Sequence, residues 1–490
     1  MRSVVLRSVS LSSAGASSRA AKGVSRSTLT QSLTLVAMSL GYGVVQLDVT
    51  IVNTALTSIG GSLGSDVTAL QWVVSAYTIS FGACILTAGA LGDRLGAKII
   101  FMTGFAIFTV ASLGCALAGS ASTLIALRAV QGIGAAILVP NSLALLNHTY
   151  RGDVERGRAV GIWAAGASLA LTAGPLVGGG LIAFAGWRSI FLVNLPIGLV
   201  GLWLTWQYVA DTPRTQHELD LTGQTAAIAL LGTLAAAMIE AGRVGWQNFW
   251  VLGGFAAFII LAVLFVVRER HADEPMLPVS LFRHRVFAMT SVIGLLVNIG
   301  FYGLIFVFSL YLQEINGWSP LLTGLAFAPM MGVVLPVNLI APRLAERFGA
   351  PAVIAVGSLV AAAGCLTLLG VDRGTSYWAM CAQLVAMGGG LGLLVPPLTS
   401  TLLGSVDKSR SGVAAGVLNS ARQTGSVIGV ALFGSFIGSS DTFMFGVRIA
   451  LLTSAILLLM AAAAILATPL GGLIGAARQL GLQLMTGRHR

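Results

Sequence analysis

Charge is scarce in this chain. Only 9% of its 490 residues are Asp, Glu, Lys or Arg, against about 25% in a soluble domain. That deficit excludes a soluble enzyme and leaves a polytopic membrane protein, with no loop long enough for a separate soluble domain. Acids are scarcer still, 17 Asp and Glu against 28 Lys and Arg. All five histidines (His148, His217, His271, His284 and His489) fall in predicted loops or the C-terminal tail. No Ser/His/Asp set or metal cluster can then form within the membrane. The four cysteines, Cys84, Cys115, Cys365 and Cys381, stand singly in apolar runs without a CxxC spacing and read as small core residues. No GxxxxGK[ST] occurs, so ATP is not the fuel, and no cofactor is expected. The net charge of +11 invites a nucleic-acid reading, but the placement of the basic residues opposes it.

Apolar sequence is what the chain has in abundance, at 56%. A membrane span needs about 20 mainly apolar residues. Fourteen runs qualify, near 30–57, 71–91, 99–118, 122–146, 158–184, 188–209, 222–241, 248–267, 286–312, 320–341, 351–370, 377–402, 412–437 and 444–467. With the N-terminus inside, 22 of the 28 Lys and Arg fall in inner loops and tails and four in outer loops; Arg128 and Arg422 lie within spans. That bias orients the chain with both termini cytoplasmic. Trp72, Trp187, Trp246, Trp250, Trp318 and Trp378 then form an outer aromatic belt. Residues 1–28, rich in Ser and Arg and free of acid, read as a disordered cytoplasmic tail or as a transit-like segment.

Sixteen of the acids fall in loops or at helix ends, and Asp48 alone lies well inside a span. A carboxylate there costs about 2.5–3.5 kcal/mol at a helix centre, and marks a proton or ion site by default. The plainer alternative is a packing acid bonded to Asn53 or Gln71.

The chain also repeats itself. LGDRLG at 91–96 matches LAERFG at 344–349. Gly132, Gly134, Val139 and Pro140 recur as Gly388, Gly390, Val395 and Pro396, and Gly161, Gly174 and Gly179 recur as Gly416, Gly429 and Gly434. The offset of about 255 residues suits eight helices. The expected fold is therefore all-α, two six-helix bundles with two inserted helices, fourteen in all. The expected organisation is a tail (1–28), an N-terminal bundle (29–210), a linker with two helices (211–285), a C-terminal bundle (286–468) and a tail (469–490). Parallel repeats of this kind place a substrate between the halves near the midplane.

Five motifs carry the chemistry. LDVTIVNTAL (47–56) holds Asp48. GALGDRLGAK (89–98) holds Gly89, Asp93, Arg94, Gly96 and Lys98, with Glu346 and Arg347 as its counterparts in the second half. LRAVQGIGAA (127–136) holds Arg128 and Gln131. ALTAGPLVGG (170–179) holds Gly174, Pro175, Gly178 and Gly179. NSARQTG (419–425) holds Asn419, Arg422 and Gln423. Together these resemble the fourteen-helix drug:proton antiporters of the major facilitator superfamily, the EmrB/QacA type, over residues 30–470. The resemblance implies a proton-coupled exporter of lipophilic small molecules in the cell membrane, working by alternating access. It implies that Asp48, helped by Arg128, carries the proton. The 89–98 loop and its counterpart would latch a cytoplasmic gate, Asp93 facing Arg151 or Arg158. The 170–179 motif would mark export. Thr57 stands where the family has proline, and Ala97 where it has a base.

Arg128 has two open readings, coupling to Asp48 or snorkelling outward to anchor its helix. Arg422 and Gln423 either line a cavity or pack between helices. Asn53, Tyr77, Trp163, Asn298, Tyr302 and Phe306 are the remaining cavity candidates, an aromatic surface suited to flat lipophilic compounds. With one deep carboxylate, neutral or zwitterionic substrates should be concentrated more readily than dications; Glu240 and Glu314 are the reserve acids. A single chain is expected to suffice. The rival readings are a dedicated exporter of one metabolite or antibiotic, a proton-coupled importer, and a non-transporting receptor.

Overall fold

The computed structural model describes residues 29–467, apart from 151, 215–219, 273–274, 276, 278, 373, 407–410 and 438–442. The two predicted tails, Arg151, Lys408 and Arg410 lie outside the described residues. Among the described residues there are helices and no strand. Fourteen long helices follow one another: α1 (Leu29–Leu63), α2 (Val67–Leu95), α3 (Ala97–Leu117), α4 (Ala121–Thr149), α5 (Asp153–Ala185), α6 (Ser189–Tyr208), α7 (Leu221–Val244), α8 (Phe249–His271), α9 (Arg285–Ile315), α10 (Pro320–Phe348), α11 (Ala350–Gly370), α12 (Tyr377–Gly404), α13 (Ser411–Phe436) and α14 (Phe443–Leu466). Thirteen of them are long and apolar enough to cross a membrane. The other is α13, whose centre carries Asn419, Ser420, Arg422, Gln423 and Thr424. Its polarity is the price of the site it builds.

Local chemistry sets the helix ends. Asp66 and Ser120 cap α2 and α4 by accepting from the amides of Ala69 (2.9 Å) and Thr123 (3.2 Å). Ser319 caps α10, with Pro320 at the first helical position, where its missing N–H costs nothing. Gly96 closes α2 and Gly349 closes α10 with φ of +99° and +87°, a backbone region that favours glycine. These turns mark one end of the molecule, called here the Gly96 end. The turns at Gly64, Gly186 and Gly317 mark the other, the Gly317 end.

The sequence repeat reappears as repeated contacts. A Cβ on Gly132 would lie 2.3 Å from the Tyr77 carbonyl, and one on Gly388 would lie 2.0 Å from the Met330 carbonyl. Gly104 meets the Gly134 carbonyl in the first half, and Gly357 meets the Gly390 carbonyl in the second. The same bare positions therefore bring α2, α3 and α4 together as bring α10, α11 and α12 together.

Two seams join the halves. Along the first, α2 packs on α13: Gln71 donates to the carbonyls of Val430 (3.2 Å) and Ala431 (2.9 Å), and Ser420 to that of Gly82 (3.0 Å). Along the second, α5 packs on α10. Helix α7 covers the first seam, touching α2 through Thr87–Gln224 (2.5 Å) and α13 through Gly242 against Ser435. Helix α8 lies outside α7 and leaves Ile259, Ile260, Val263 and Leu264 exposed, an apolar face suited to lipid.

Candidate functional site

Asp48 is fully buried on α1, and four helices converge on it. Arg128 of α4 donates to its Oδ2 through Nη1. Gln131, one turn further along α4, donates to Oδ1 at 2.9 Å. Asn194 of α6 donates to the same oxygen at 3.1 Å. Ser112 of α3 lies behind, accepting from Gln131 (2.9 Å) and Asn194 (3.3 Å). Arg128 also donates to the Gln131 side-chain oxygen (2.7 Å) and through Nε to the Val73 carbonyl (3.2 Å). Its guanidinium lies over the Tyr77 ring, 4.3 Å from the centroid. All five polar side chains are no more than 1% exposed. A buried ion pair survives only when its charged groups find further partners, and here Arg128 Nε and Nη1 and both Asp48 oxygens are bonded. The Asn194 side-chain oxygen has no partner among the described residues.

This geometry removes the anchoring reading of Arg128. It points inward and pairs with Asp48, where an anchoring arginine would reach the bundle surface. It also removes the proposed packing partners of Asp48. The Asn53 amide donates within its own helix to the Val49 carbonyl (3.1 Å), and Gln71 belongs to the α2–α13 seam. Sequence reading missed Asn194 and Ser112. Asn194 had a signal, a lone amide ahead of Pro196 in an apolar run.

The 170–179 motif lies where α5 meets both α1 and α10. Pro175 lacks an N–H, so the Leu171 carbonyl loses its helical partner; the Thr50 hydroxyl of α1 donates to it at 3.0 Å. A Cβ on Gly174 would lie 1.9 Å from Thr50 Oγ1, and one on Gly178 2.5 Å from Thr54 Oγ1. On the other face, Gly179 meets the Pro320 carbonyl of α10 (2.6 Å), and Gly324 of α10 meets the Pro175 carbonyl (2.2 Å). A 3₁₀ segment, Val52–Ala55, interrupts α1 here, and Ser309 of α9 donates to the Asn53 carbonyl at 2.5 Å. The halves are thus pressed together at the Gly317 end. Asn53 belongs to this closed seam.

At the opposite end the 89–98 motif, placed by sequence between the helices, is the last turns of α2 and the start of α3 about the single turn residue Gly96, and it packs against the end of α6 and the segment that follows. The Ala97 amide donates to Thr212 Oγ1 (2.8 Å), and Lys98 to the Trp206 carbonyl (3.3 Å). Asp93 and Arg94 are exposed, as are Glu346 and Arg347 in the second half, Arg347 lying over the Phe348 ring. The tight contact in this motif is at Gly92, near the end of α2, a position the motif reading passed over. A Cβ there would lie 1.6 Å from Asn141 Oδ1, whereas one on Gly89 would meet Pro140 no closer than 3.6 Å. Asn141 ties α4 to α2 by donating to the Ala88 carbonyl (3.0 Å).

The cavity candidates separate into two groups. Phe306 is in the core of the second half, Tyr77 is sealed beneath Arg128, and Gln423 is buried against Gly82. Asn298 is half-buried and donates to the Gly294 carbonyl of its own helix (2.7 Å). Tyr302, Asn419 and Arg422 are half-buried near the middle of their helices. Trp163 stacks on Tyr42 with centroids 4.3 Å apart and donates to Ser142 Oγ (3.1 Å). Tyr42, on α1 between the halves, was not among the sequence candidates.

Residues 38–430 match the family profile described as the Major Facilitator Superfamily. The chain belongs to that superfamily. It is 36% identical over 419 residues to a methylenomycin A resistance protein of Bacillus subtilis, covering 85% of this chain and 90% of that protein. It is 35% identical to the multidrug resistance protein Stp of Mycobacterium tuberculosis, covering 84% of this chain and 76% of that protein. It is 31% identical to the tetracenomycin C resistance and export protein of Streptomyces glaucescens, covering 83% of this chain and 76% of that protein. The fold is shared with a bacterial homologue of the human lysosomal transporter Spinster, at a TM-score of 0.64 and 18% identity, over 89% of this chain and 96% of that one. Membership of this superfamily makes the chain a multi-pass membrane transporter and not an enzyme.

Proposed function

We propose that the protein exports lipophilic small molecules, antibiotics among them, in exchange for protons, and that it is of the fourteen-helix type. The observation that carries the proton coupling is the Asp48 network. Asp48 is the deep acid of the chain, and here it is sealed from solvent. A proton can reach it only if the helices around it move, which links protonation to conformation. Protonating Asp48 removes the charge that holds Arg128, Gln131 and Asn194, and the network must re-form around a lone guanidinium. That is a bistable element of the kind alternating access requires. The relatives' names, which speak of resistance and export, support the outward direction.

In this reading 29–210 and 286–468 are the moving halves, and α7 and α8, within 211–285, are the inserted pair. The Gly96 end, where Arg94, Lys98, Arg343 and Arg347 collect, faces the cytoplasm. The conformation is then closed to the outside along α5 and α10. Asp93, Arg94, Glu346 and Arg347 act at the inner gate, and one chain is the working unit.

The test is proton release from acid-loaded inside-out vesicles, followed with a pH dye. Wild type should release protons when challenged with lipophilic drugs, and Asp48→Asn should not. A response that survives Asp48→Asn removes Asp48 from the mechanism. A second reading, a dedicated exporter of one compound, is favoured by the relatives named for methylenomycin A and tetracenomycin C. Release confined to one compound in a broad panel would establish it.

A further inference from the structure

The two arginines near the middle of membrane spans are placed very differently. Arg128 has Asp48. Arg422, at the middle of α13, forms no ion pair with a carboxylate among the described residues. Its hydrogen bond is to a neutral group: Nη2 donates to Thr399 Oγ1 of α12 at 2.8 Å, while the threonine hydroxyl donates onward to the Val395 carbonyl at 2.9 Å. The stem of Arg422 lies beside Gly294 of α9, where a Cβ would be 4.0 Å from Arg422 Cγ. The titratable groups within electrostatic reach of the guanidinium are the phenols of Tyr42 on α1 and Tyr302 on α9. Among the described residues no acid acts on it.

An unpaired guanidinium deep in a membrane protein is costly, and the chain has no spare deep acid to neutralise it. Arg422 is half-buried rather than sealed, as are Thr399, Tyr42 and Tyr302. Part of each surface therefore stays open to a visitor. The N-terminal half contributes Tyr42, stacked on Trp163, and the C-terminal half contributes Tyr302, Arg422 and Thr399, so the cluster spans the two halves at mid-depth.

We propose that Arg422, held in place by Thr399, binds an anionic group, a carboxylate or its equivalent, on a substrate whose apolar body lies against the aromatic rings of Tyr42 and Tyr302. The guanidinium offers a planar fork of donors matched to a carboxylate, and Thr399 uses one arm of that fork to hold it. The missing countercharge is then supplied by the cargo. This assignment takes its setting between moving halves from the exporter reading and adds the substrate's charge to it.

The test uses purified full-length protein in detergent micelles with three radiolabelled probes on one frame: 2-naphthylacetate, its amide, and the matching quaternary ammonium. Wild type is expected to bind the carboxylate about 10- to 100-fold more tightly than the amide, the range of one charge-assisted contact. Arg422→Gln should erase that preference by weakening the carboxylate and leaving the amide unchanged, and Arg422→Lys should keep part of it. An arginine that only ties α12 to α13 would lower the melting temperature in Arg422→Gln without changing the ranking, and that result overturns the proposal. So does a wild type that binds amide or cation as well as carboxylate, or binds no carboxylate. If Arg422→Gln does not fold, the wild-type ranking and Arg422→Lys decide. Vesicle transport separates the two readings. Selective carboxylate binding without transport of any probe overturns the exporter and keeps the site. Transport of the amide without carboxylate preference does the reverse.

Discussion

Removing both members of the Asp48–Arg128 pair should cost clearly less than the sum of the two single removals. The pair is no more than 1% exposed and is surrounded by Gln131, Asn194, Ser112 and the Tyr77 ring. Asp48→Asn leaves a buried guanidinium facing neutral amides. Arg128→Gln leaves a buried carboxylate facing Gln131 and Asn194. Breaking one side of a buried pair costs about 3–5 kcal/mol. The double variant leaves four amides and a serine, which can bond one another without a charge, so it should recover at least about 2 kcal/mol of the summed loss. The assay is unfolding in mixed micelles, following tryptophan fluorescence, for wild type, both single variants and the double. Vesicle proton release should be lost in all three variants, because each lacks either the proton carrier Asp48 or the Arg128 that pairs with it. Additive losses would refute the reasoning, since they would mean that the two charges are not holding each other.

Within the 89–98 motif, Gly92→Ala should abolish folding or transport, because its Cβ would fall 1.6 Å from Asn141 Oδ1. Gly89→Ala should be tolerated, and equal expression and transport of the two would remove Gly92 from its packing role. Gly174→Ala should lower the melting temperature through its clash with Thr50 Oγ1, and Thr50→Ala should relieve part of that loss while exposing the Leu171 carbonyl; a Gly174→Ala protein that melts like wild type contradicts the contact. Exchange of one proton for a monoanion moves two charges, about 4.6 kcal/mol per 100 mV, against about 2.3 for a neutral cargo. A valinomycin-imposed potential should therefore stimulate carboxylate transport more steeply than amide transport, and equal slopes would rule out one-for-one exchange. Electrogenic export of a dication, which needs at least three protons, would contradict an exporter with one deep acid.

Several of these features were legible in the sequence for a simple physical reason. Lipid rewards long apolar runs and penalises charge, so hydropathy alone located fourteen helices within several residues at most ends. The same penalty made Asp48, Arg128 and Arg422 conspicuous. Glycine and proline spacing exposed the repeat, and its contacts recur in space as Gly132–Tyr77 and Gly388–Met330. The 3₁₀ segment at Val52–Ala55 was less legible, because no proline marks it and Thr57 stands where the family has one.

What the sequence could not decide was rotation. An apolar helix in lipid has little contrast between its faces, so nothing in the run around Arg128 says whether the side chain points inward or out to solvent. Close approach at bare glycines settles it: Gly132 and Gly134 press α4 against α2 and α3, and that contact turns Arg128 and Gln131 toward Asp48. The same packing brings Asn194 and Ser112 into the network from 146 residues away and from the third helix. It also sends Gln423 into a helix seam and leaves its neighbour Arg422 open between the halves. Composition and pattern determined that this chain crosses a membrane as a duplicated bundle with one deep acid. Tertiary packing decided which charge is already paired and which is left for a partner.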